Sequence, residues 1–368
     1  MPALFTPIQL RDLTVKNRII VSPMCQYSAE EGRATDWHMI HLGHLALSGA
    51  GMLCLEATAV ELDGRITPGD LGLWDYATEA ALVPVLAAIR QYSDIPVTVQ
   101  LAHAGRKASC HLPWKGGEQI SLAMGGWTPS APSPLSFKPD QTVPAGLDTD
   151  GLARVRDAFA AAAKRADKLG IDGIEVHAAH GYLLHQFLSP LSNQRDDAYG
   201  GSLDNRMRFP LEVFDAVREA FPANKPVGVR VSASDWVEGG WDLDQTIAFA
   251  EALKARGVDW IDASSGGIST AQKIPAGPNY QVPFAEAIRA ATGIPTMAVG
   301  LITDPQQAED ILTSGKADMV AMARAMLYDP RWPWHAAAEL GAEVDAPPQY
   351  WRSAPHGHKG LFGPDVVA

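Results

Sequence analysis

The chain has 368 residues and a formal net charge of −12, from 30 Lys and Arg against 42 Asp and Glu, with 46% hydrophobic and 20% charged residues. That length can bury a sizeable core in one large domain or two ordinary ones, and the composition excludes a disordered or fibrous chain. The acidic excess is spread along the sequence, which speaks against nucleic acid or an anionic membrane surface as main partner, because both attract basic patches.

The first residues, MPALFTPIQLRDL, carry neither the basic segment nor the apolar run of a signal peptide, and no apolar stretch is long enough to span a bilayer. Three cysteines, Cys25, Cys54 and Cys110, stand far apart without CxxC spacing. An odd count without a disulfide framework is expected of a reducing compartment, so the expected location is cytoplasmic.

In chain order, short β-rich apolar runs alternate with helical patterns. RIIVSPM (18–24) and GMLCLEATAV (51–60) come first, then a helical pattern at 78–92 and the run PVTVQLAH (96–103). The clearest helix is LARVRDAFAAAAKRADKLG (152–170), with apolar residues at helical spacing and Gly170 as its stop, before GIEVHAAH (173–180). A helix at 211–221 precedes PVGVRVSA (226–233), and one at 243–257 precedes WIDASS (260–265). PTMAVG (295–300) follows, then a helix at 304–315 with Pro305 in its first turn, then MVAMAR (319–324). Near-continuous apolarity is what strands buried on both faces require.

Eight strand–helix units predict an α/β protein, a single (β/α)₈ TIM barrel spanning 1–345 with a C-terminal tail extension at 346–368. A doubly wound open sheet is the alternative, but the first strand is not followed by a Gly-rich dinucleotide fingerprint. Two long connections, Ala104 to Asp148 and Gly181 to Asn205, follow strands and therefore rise from the C-terminal face, where barrels place their catalytic groups.

Polar groups at several strand ends converge on that face: Cys25 after the first strand, Gln100 and His103 in the third, His177 and His180 in the fourth, Arg230 in the fifth, and Gly300 and Arg324 closing the seventh and eighth. For His177 and His180 three roles compete: satisfied core histidines, metal ligands joined by His103 or Glu175, or N–H donors to a substrate oxygen with Tyr182 as a nearby proton donor. No second ligand motif of matching spacing supports the metal. Gly300 and Arg324 suit a phosphate site, and with Gln100 and Arg230 the set suits flavin mononucleotide, Gln pairing with the pyrimidine edge and Arg stabilising negative charge there.

The motifs SPMCQYSAEEG, EATAV with GRITP, QLAHAGRKAS, EVHAAHGYLLHQFLSPLSNQRDDAYGGSLDNRMRF, VRVSASD and QYWR together resemble the old yellow enzyme family, most of all its bacterial ene reductases with a cysteine after the first strand. The likeness runs from about Leu4 to QYWR. It implies a (β/α)₈ barrel with tightly bound, non-covalent FMN, reduced by NADPH or NADH, that passes hydride through flavin N5 to activated alkenes such as enones in a ping-pong sequence. It implies flavin contacts from Ser22, Pro23, Met24, Cys25, Ala57, Gln100 and Arg230, and a phosphate site at Gly300, Ala323 and Arg324. The family often has Gly-Arg where this chain has Ala323-Arg324. The likeness further implies that His177 and His180 bind the substrate carbonyl, that Tyr182 donates the proton, and that Tyr27 is a substrate-side contact. Finally, it implies a homodimer or homotetramer in which the tail places Trp351 and Arg352 at a neighbour's active site.

Overall fold

The structure is a computed structural model describing residues 1–363, so the last five residues of the expected tail, 364–368, lie outside the described residues. Eight parallel strands form a closed barrel: β1 Ile19–Val21, β2 Met52–Ala59, β3 Val97–Ala102, β4 Gly173–Ala178, β5 Val227–Ser232, β6 Ile261–Ser264, β7 Thr296–Val299 and β8 Met319–Met322. Closure comes from β8 pairing with β1, Val320 opposite Ile19 and Met322 opposite Val21. Every residue of all eight strands is buried. The apolar runs in the sequence therefore do mark strands covered on both faces.

Side-chain caps begin the expected helices, although the one expected at 211–221 starts eight residues earlier, at Leu203, and carries Pro210 inside it. Asp75, Asp148, Ser202, Asp242 and Asp304 accept backbone N–H groups at the starts of Tyr76–Tyr92, Thr149–Lys168, Leu203–Ala220, Leu243–Lys254 and Pro305–Thr313. The helix Asp36–Ala46 was not anticipated, and its composition explains why: it exposes Trp37 and Ile40 on one face while burying Leu42 and Leu45 on the other. Apolar residues on both faces erase the helical period. Among the described residues, no helix is long and apolar enough to cross a membrane.

The barrel floor is sealed. A hairpin of Ile8–Leu10 and Leu13–Val15 packs Leu10 and Val15 against Ile20, Met52, Trp260, Met297 and Met319. Trp260 fills the space beside Gly228, where a Cβ would lie 2.0 Å from the indole, so only glycine fits. With the floor closed by apolar side chains, the opposite, C-terminal end is left for polar chemistry.

The long connection at 104–148 is ordered by three short 3₁₀ turns and a two-residue pairing of Ser130–Ala131 with Ala145–Gly146. Arg65 lies 5.6 Å from the Trp74 ring centroid and 5.0 Å from that of Trp127, and Trp127 Nε1 donates to Asp63 O at 3.0 Å. These contacts pin the connection to the loop after β2.

Candidate active site

A layer of polar side chains crosses the upper barrel interior because four neighbouring strands each place a charged or amide residue there. Gln100 and Glu175 are register neighbours on β3 and β4, and Arg230 and Asp262 on β5 and β6. Gln100 Nε2 donates to Glu175 Oε1 at 2.8 Å, Trp260 Nε1 donates to Glu175 Oε2 at 3.2 Å, and Arg230 Nε faces Asp262 Oδ2 at 3.3 Å. Neither carboxylate oxygen of Asp262 has a hydrogen-bond partner, and neither does Arg230 Nε. Burial pushes the Asp262 carboxyl up to about 7 against the pull of Arg230, and pushes Glu175 up as well. An unsatisfied guanidinium in a sealed interior is a costly arrangement unless something accepts from it.

Above this layer, His177 lies in register with Arg230. Its ring is 5.2 Å from that of His180 and 5.1 Å from that of Tyr182, at interplanar angles of 81° and 72°. Burial first, then the charge of Arg230, holds both imidazoles well below the usual histidine range, so both are neutral near pH 7. Nδ1 of His177 is buried without a partner, whereas His180 Nε2 is 2.7 Å from Ser264 Oγ.

The turn that aims these groups is left-handed, with φ of 57° at His180 and 73° at Gly181. His180 N–H donates to Ser232 Oγ at 2.9 Å, and Gly181 N–H donates to His185 Nδ1 at 2.8 Å. The other nitrogen of His185 bonds Asp235 Oδ1 at 2.9 Å, and Ser189 Oγ donates to Asp235 Oδ2 at 2.6 Å. A His185 that accepts at Nδ1 and donates from Nε2 satisfies both contacts, which fixes its tautomer and, through it, the turn.

At the end of β1, Gln26 N–H donates to Glu56 Oε2 at 2.8 Å and holds the turn in which Tyr27 has φ of 51°. Ser22 Oγ beside it is buried and unpartnered. Burial, with help from Asp70 and Glu56, pushes the Cys25 thiol well up, so it stays protonated. Tyr27 is raised for the same reason, and burial pushes Asp70 up to about 7. A buried thiol kept protonated is poorly suited to nucleophilic work.

Two strands from β1 on the same rim, after β7, Gly300 has φ of 113°, and a Cβ there would lie 2.6 Å from Gln281 Nε2. Gln281 accepts from Ser265 Oγ at 2.6 Å and donates to Val299 O at 2.9 Å. Ala323 immediately precedes the short helix Arg324–Tyr328, and the Arg324 side chain is exposed, with no ion pair among the described residues. Tyr280 feels its positive charge. A glycine cradle beside an unpaired arginine can take a phosphate, and the unsatisfied Arg230 fork beside Gln100 can take the hydrogen-bonding edge of a flat ring.

The structure thus gathers Cys25, Tyr27, Ala57, Gln100, His177, His180, Tyr182 and Arg230 at one barrel end. His103 goes elsewhere: its Nε2 lies 2.9 Å from Glu61 Oε1, and among the described residues no three or more His, Cys, Asp or Glu side chains group to hold a metal. Trp351 and Arg352 lie in the turn Pro348–Ser353, where Trp351 Nε1 donates to Ala346 O at 2.9 Å and Arg352 is exposed. Lys107, Asp235, Asp262 and Gln281 were missed. A polar residue inside an apolar strand was a readable signal for Asp262; the others sit in loops, where periodicity gives none.

The profile of the NADH:flavin oxidoreductase / NADH oxidase family matches residues 3–343. The NADPH dehydrogenase of Geobacillus thermodenitrificans is 44% identical over 351 residues, covering 95% of this chain and 98% of the relative. Among solved structures, morphinone reductase aligns with a TM-score of 0.76 at 29% identity, covering 100% of this chain and 96% of the other. The old yellow enzyme homologue from Zymomonas mobilis aligns at 0.76 and 26%, covering 94% of each.

Proposed function

The chain belongs to the NADH:flavin oxidoreductase / NADH oxidase family and is an FMN-dependent oxidoreductase with a nicotinamide reductant, and on that premise we propose that it is an ene reductase acting on α,β-unsaturated carbonyl compounds in a ping-pong sequence. The observation that supports this best is His177: a neutral imidazole with an unpartnered ring nitrogen, beside His180 and Tyr182 and in register with the unsatisfied Arg230.

FMN, held by these residues, would supply the hydride chemistry that links NADPH or NADH to the alkene. The chain's part is placement and field. Gln100 and Arg230 hold the pyrimidine edge, with Ser22, Pro23, Met24, Cys25 and Ala57 along the ring. Gly300, Ala323 and Arg324 take the phosphate. His177 and His180 donate to the substrate carbonyl oxygen and stabilise the negative charge that grows there, so they act on the transition state more than on the ground state. Tyr182 gives its proton to the α-carbon, and Tyr27 lines the substrate side. Cys25, kept as a thiol, tunes the flavin without bonding to substrate.

The enzyme belongs in the cytoplasm and works as a homo-oligomer, a dimer or tetramer, in which Trp351 and Arg352 complete a neighbour's pocket. The exposed Arg352 side chain, free of ion pairs among the described residues, is in keeping with that role. The test of the activity is direct: purified protein is yellow, NADPH bleaches it without oxygen, and cyclohexenone restores the colour. Protein that lacks flavin, or bleached protein that cyclohexenone leaves colourless, contradicts the reading.

A further inference from the structure

Lys107 ends the short turn Gly105–Lys107 after β3 and has no role in the chemistry described so far. Its Nζ donates to two backbone carbonyls, His180 O at 2.9 Å and Gly267 O at 3.1 Å. It also lies over two aromatic faces, 4.9 Å from the Phe137 centroid and 5.1 Å from that of Tyr182. No carboxylate pairs with it among the described residues.

Both carbonyls belong to left-handed residues, His180 at φ 57° and Gly267 at φ 97°. The two turns are in tight contact: a Cβ on Gly181 would lie 2.1 Å from Gly267 O, and one on Gly267 would lie 2.4 Å from the His180 carbonyl carbon. Two carbonyl oxygens converging from such turns repel each other, and an ammonium between them removes the repulsion. The turn it grips carries His180 and Tyr182.

We propose that Lys107 is a positioning residue for proton delivery: its ammonium clips the His180–Tyr182 turn to the Gly267 turn and, lying against the Tyr182 ring, stabilises the phenolate left when Tyr182 gives its proton. This rests on the role of Tyr182 given above. In that step the phenol O–H bond breaks, a C–H bond forms at the α-carbon, and water returns the proton to the phenolate. The cation acts on the ring at close range, 5.1 Å from its centroid.

The charge is kept under strain. Burial first, then Arg106, brings the Lys107 ammonium down to about 8, with Cys110 opposing. The groups facing it do not change charge near that value. His177 and His180 are neutral there, Tyr182 and Cys110 are raised as acids, and Arg106 is lowered only to about 10. Asp70, also felt by Tyr182, titrates lower, at about 7. Proton delivery therefore weakens as pH rises through about 8, where the ammonium discharges.

The test uses the FMN-loaded full chain, reduced by NADPH and mixed with cyclohexenone from below to above pH 8, with Lys107→Met, Lys107→Arg, Tyr182→Phe and the Lys107→Met/Tyr182→Phe pair. Lys107→Met should slow reoxidation about tenfold with NADPH reduction nearly unchanged. Lys107→Arg should restore the rate and abolish the fall above pH 8, because guanidinium keeps its charge. The double variant should be no slower than Tyr182→Phe, since Lys107 acts through that residue. Additive slowing in the double variant, or an unchanged rate in Lys107→Met, overturns the proposal. If Lys107→Met fails to hold FMN, the alkaline limb of Lys107→Arg decides alone, and its persistence overturns the proposal. A Tyr182→Phe enzyme as fast as wild type defeats the proton-donor reading itself, a failure separable from that of the lysine.

Discussion

His180 Nε2 lies 2.7 Å from Ser264 Oγ, whereas His177, three residues earlier, has a buried ring nitrogen with no partner. The two imidazoles are therefore unequal donors. His177 is free to meet a substrate oxygen; His180 must first exchange its bond to Ser264. Loss of one good donor to a developing oxyanion slows a reaction on the order of 10²–10³-fold. His177→Ala should fall in that range, His180→Ala should be milder, and Ser264→Ala should hold FMN and keep most activity. Steady-state rates with cyclohexenone check the order, and a milder effect at His177 contradicts it.

Cys25 should tune the flavin and not bond to substrate, because burial keeps its thiol protonated. Cys25→Ala is expected to shift the flavin reduction potential and the substrate KM while retaining turnover. Complete inactivation at unchanged flavin content, or a trapped thioether during turnover, opposes this.

Glu61 gives a pH signature for stability. Burial pushes its carboxyl up, but hydrogen bonds and charge from His103 and Arg154 prevail and hold it at about 2. An unfolded glutamate titrates at about 4.3. Because the folded value is the lower one, the contribution is fully present above about pH 4.3 and fades as pH falls toward 2, amounting to about 3 kcal/mol at most. Urea unfolding of wild type and Glu61→Gln should therefore differ most near neutrality and converge in acid. A difference that stays constant with pH counts against this ion-pair cluster.

The tail prediction is one of complementation. A chain truncated before Gln349, mixed with a full-length chain carrying His177→Ala and His180→Ala, should regain activity if Trp351 and Arg352 serve a neighbour's site. A truncated protein that is monomeric yet fully active rules the idea out. Within its own chain the tail also packs on Trp334, whose ring lies 5.9 Å from Tyr350 and 4.9 Å from Phe362, so truncation should lower the melting temperature as well.

The barrel was legible because each strand is buried on both faces and its apolar run survives any register. The expected helices were legible from their apolar spacing, but the start of Leu203–Ala220 was not, because Pro210 lies inside it and the expected helix began only at 211. Helix Asp36–Ala46 was not, because its exposed Trp37 and Ile40 blur the period. At the site, His177, Gln100 and Arg230 announced themselves as polar residues in apolar strands. Lys107 and Gln281 did not: they reach the mouth from loops, and only tertiary contacts bring them to His180 O and Val299 O.

The most direct measurement is an isotope trace through one turnover. Flavin-loaded protein is reduced without oxygen by NADPH deuterated at the transferred C4 position and then mixed with cyclohexenone, and the product is read by NMR. The expected result is cyclohexanone with deuterium at the β-carbon and a solvent proton at the α-carbon, and little product from the His177→Ala/His180→Ala protein even though NADPH still bleaches its flavin. Absence of cyclohexanone from the flavin-reduced wild type, or equal product from the double variant, contradicts alkene reduction at this histidine pair.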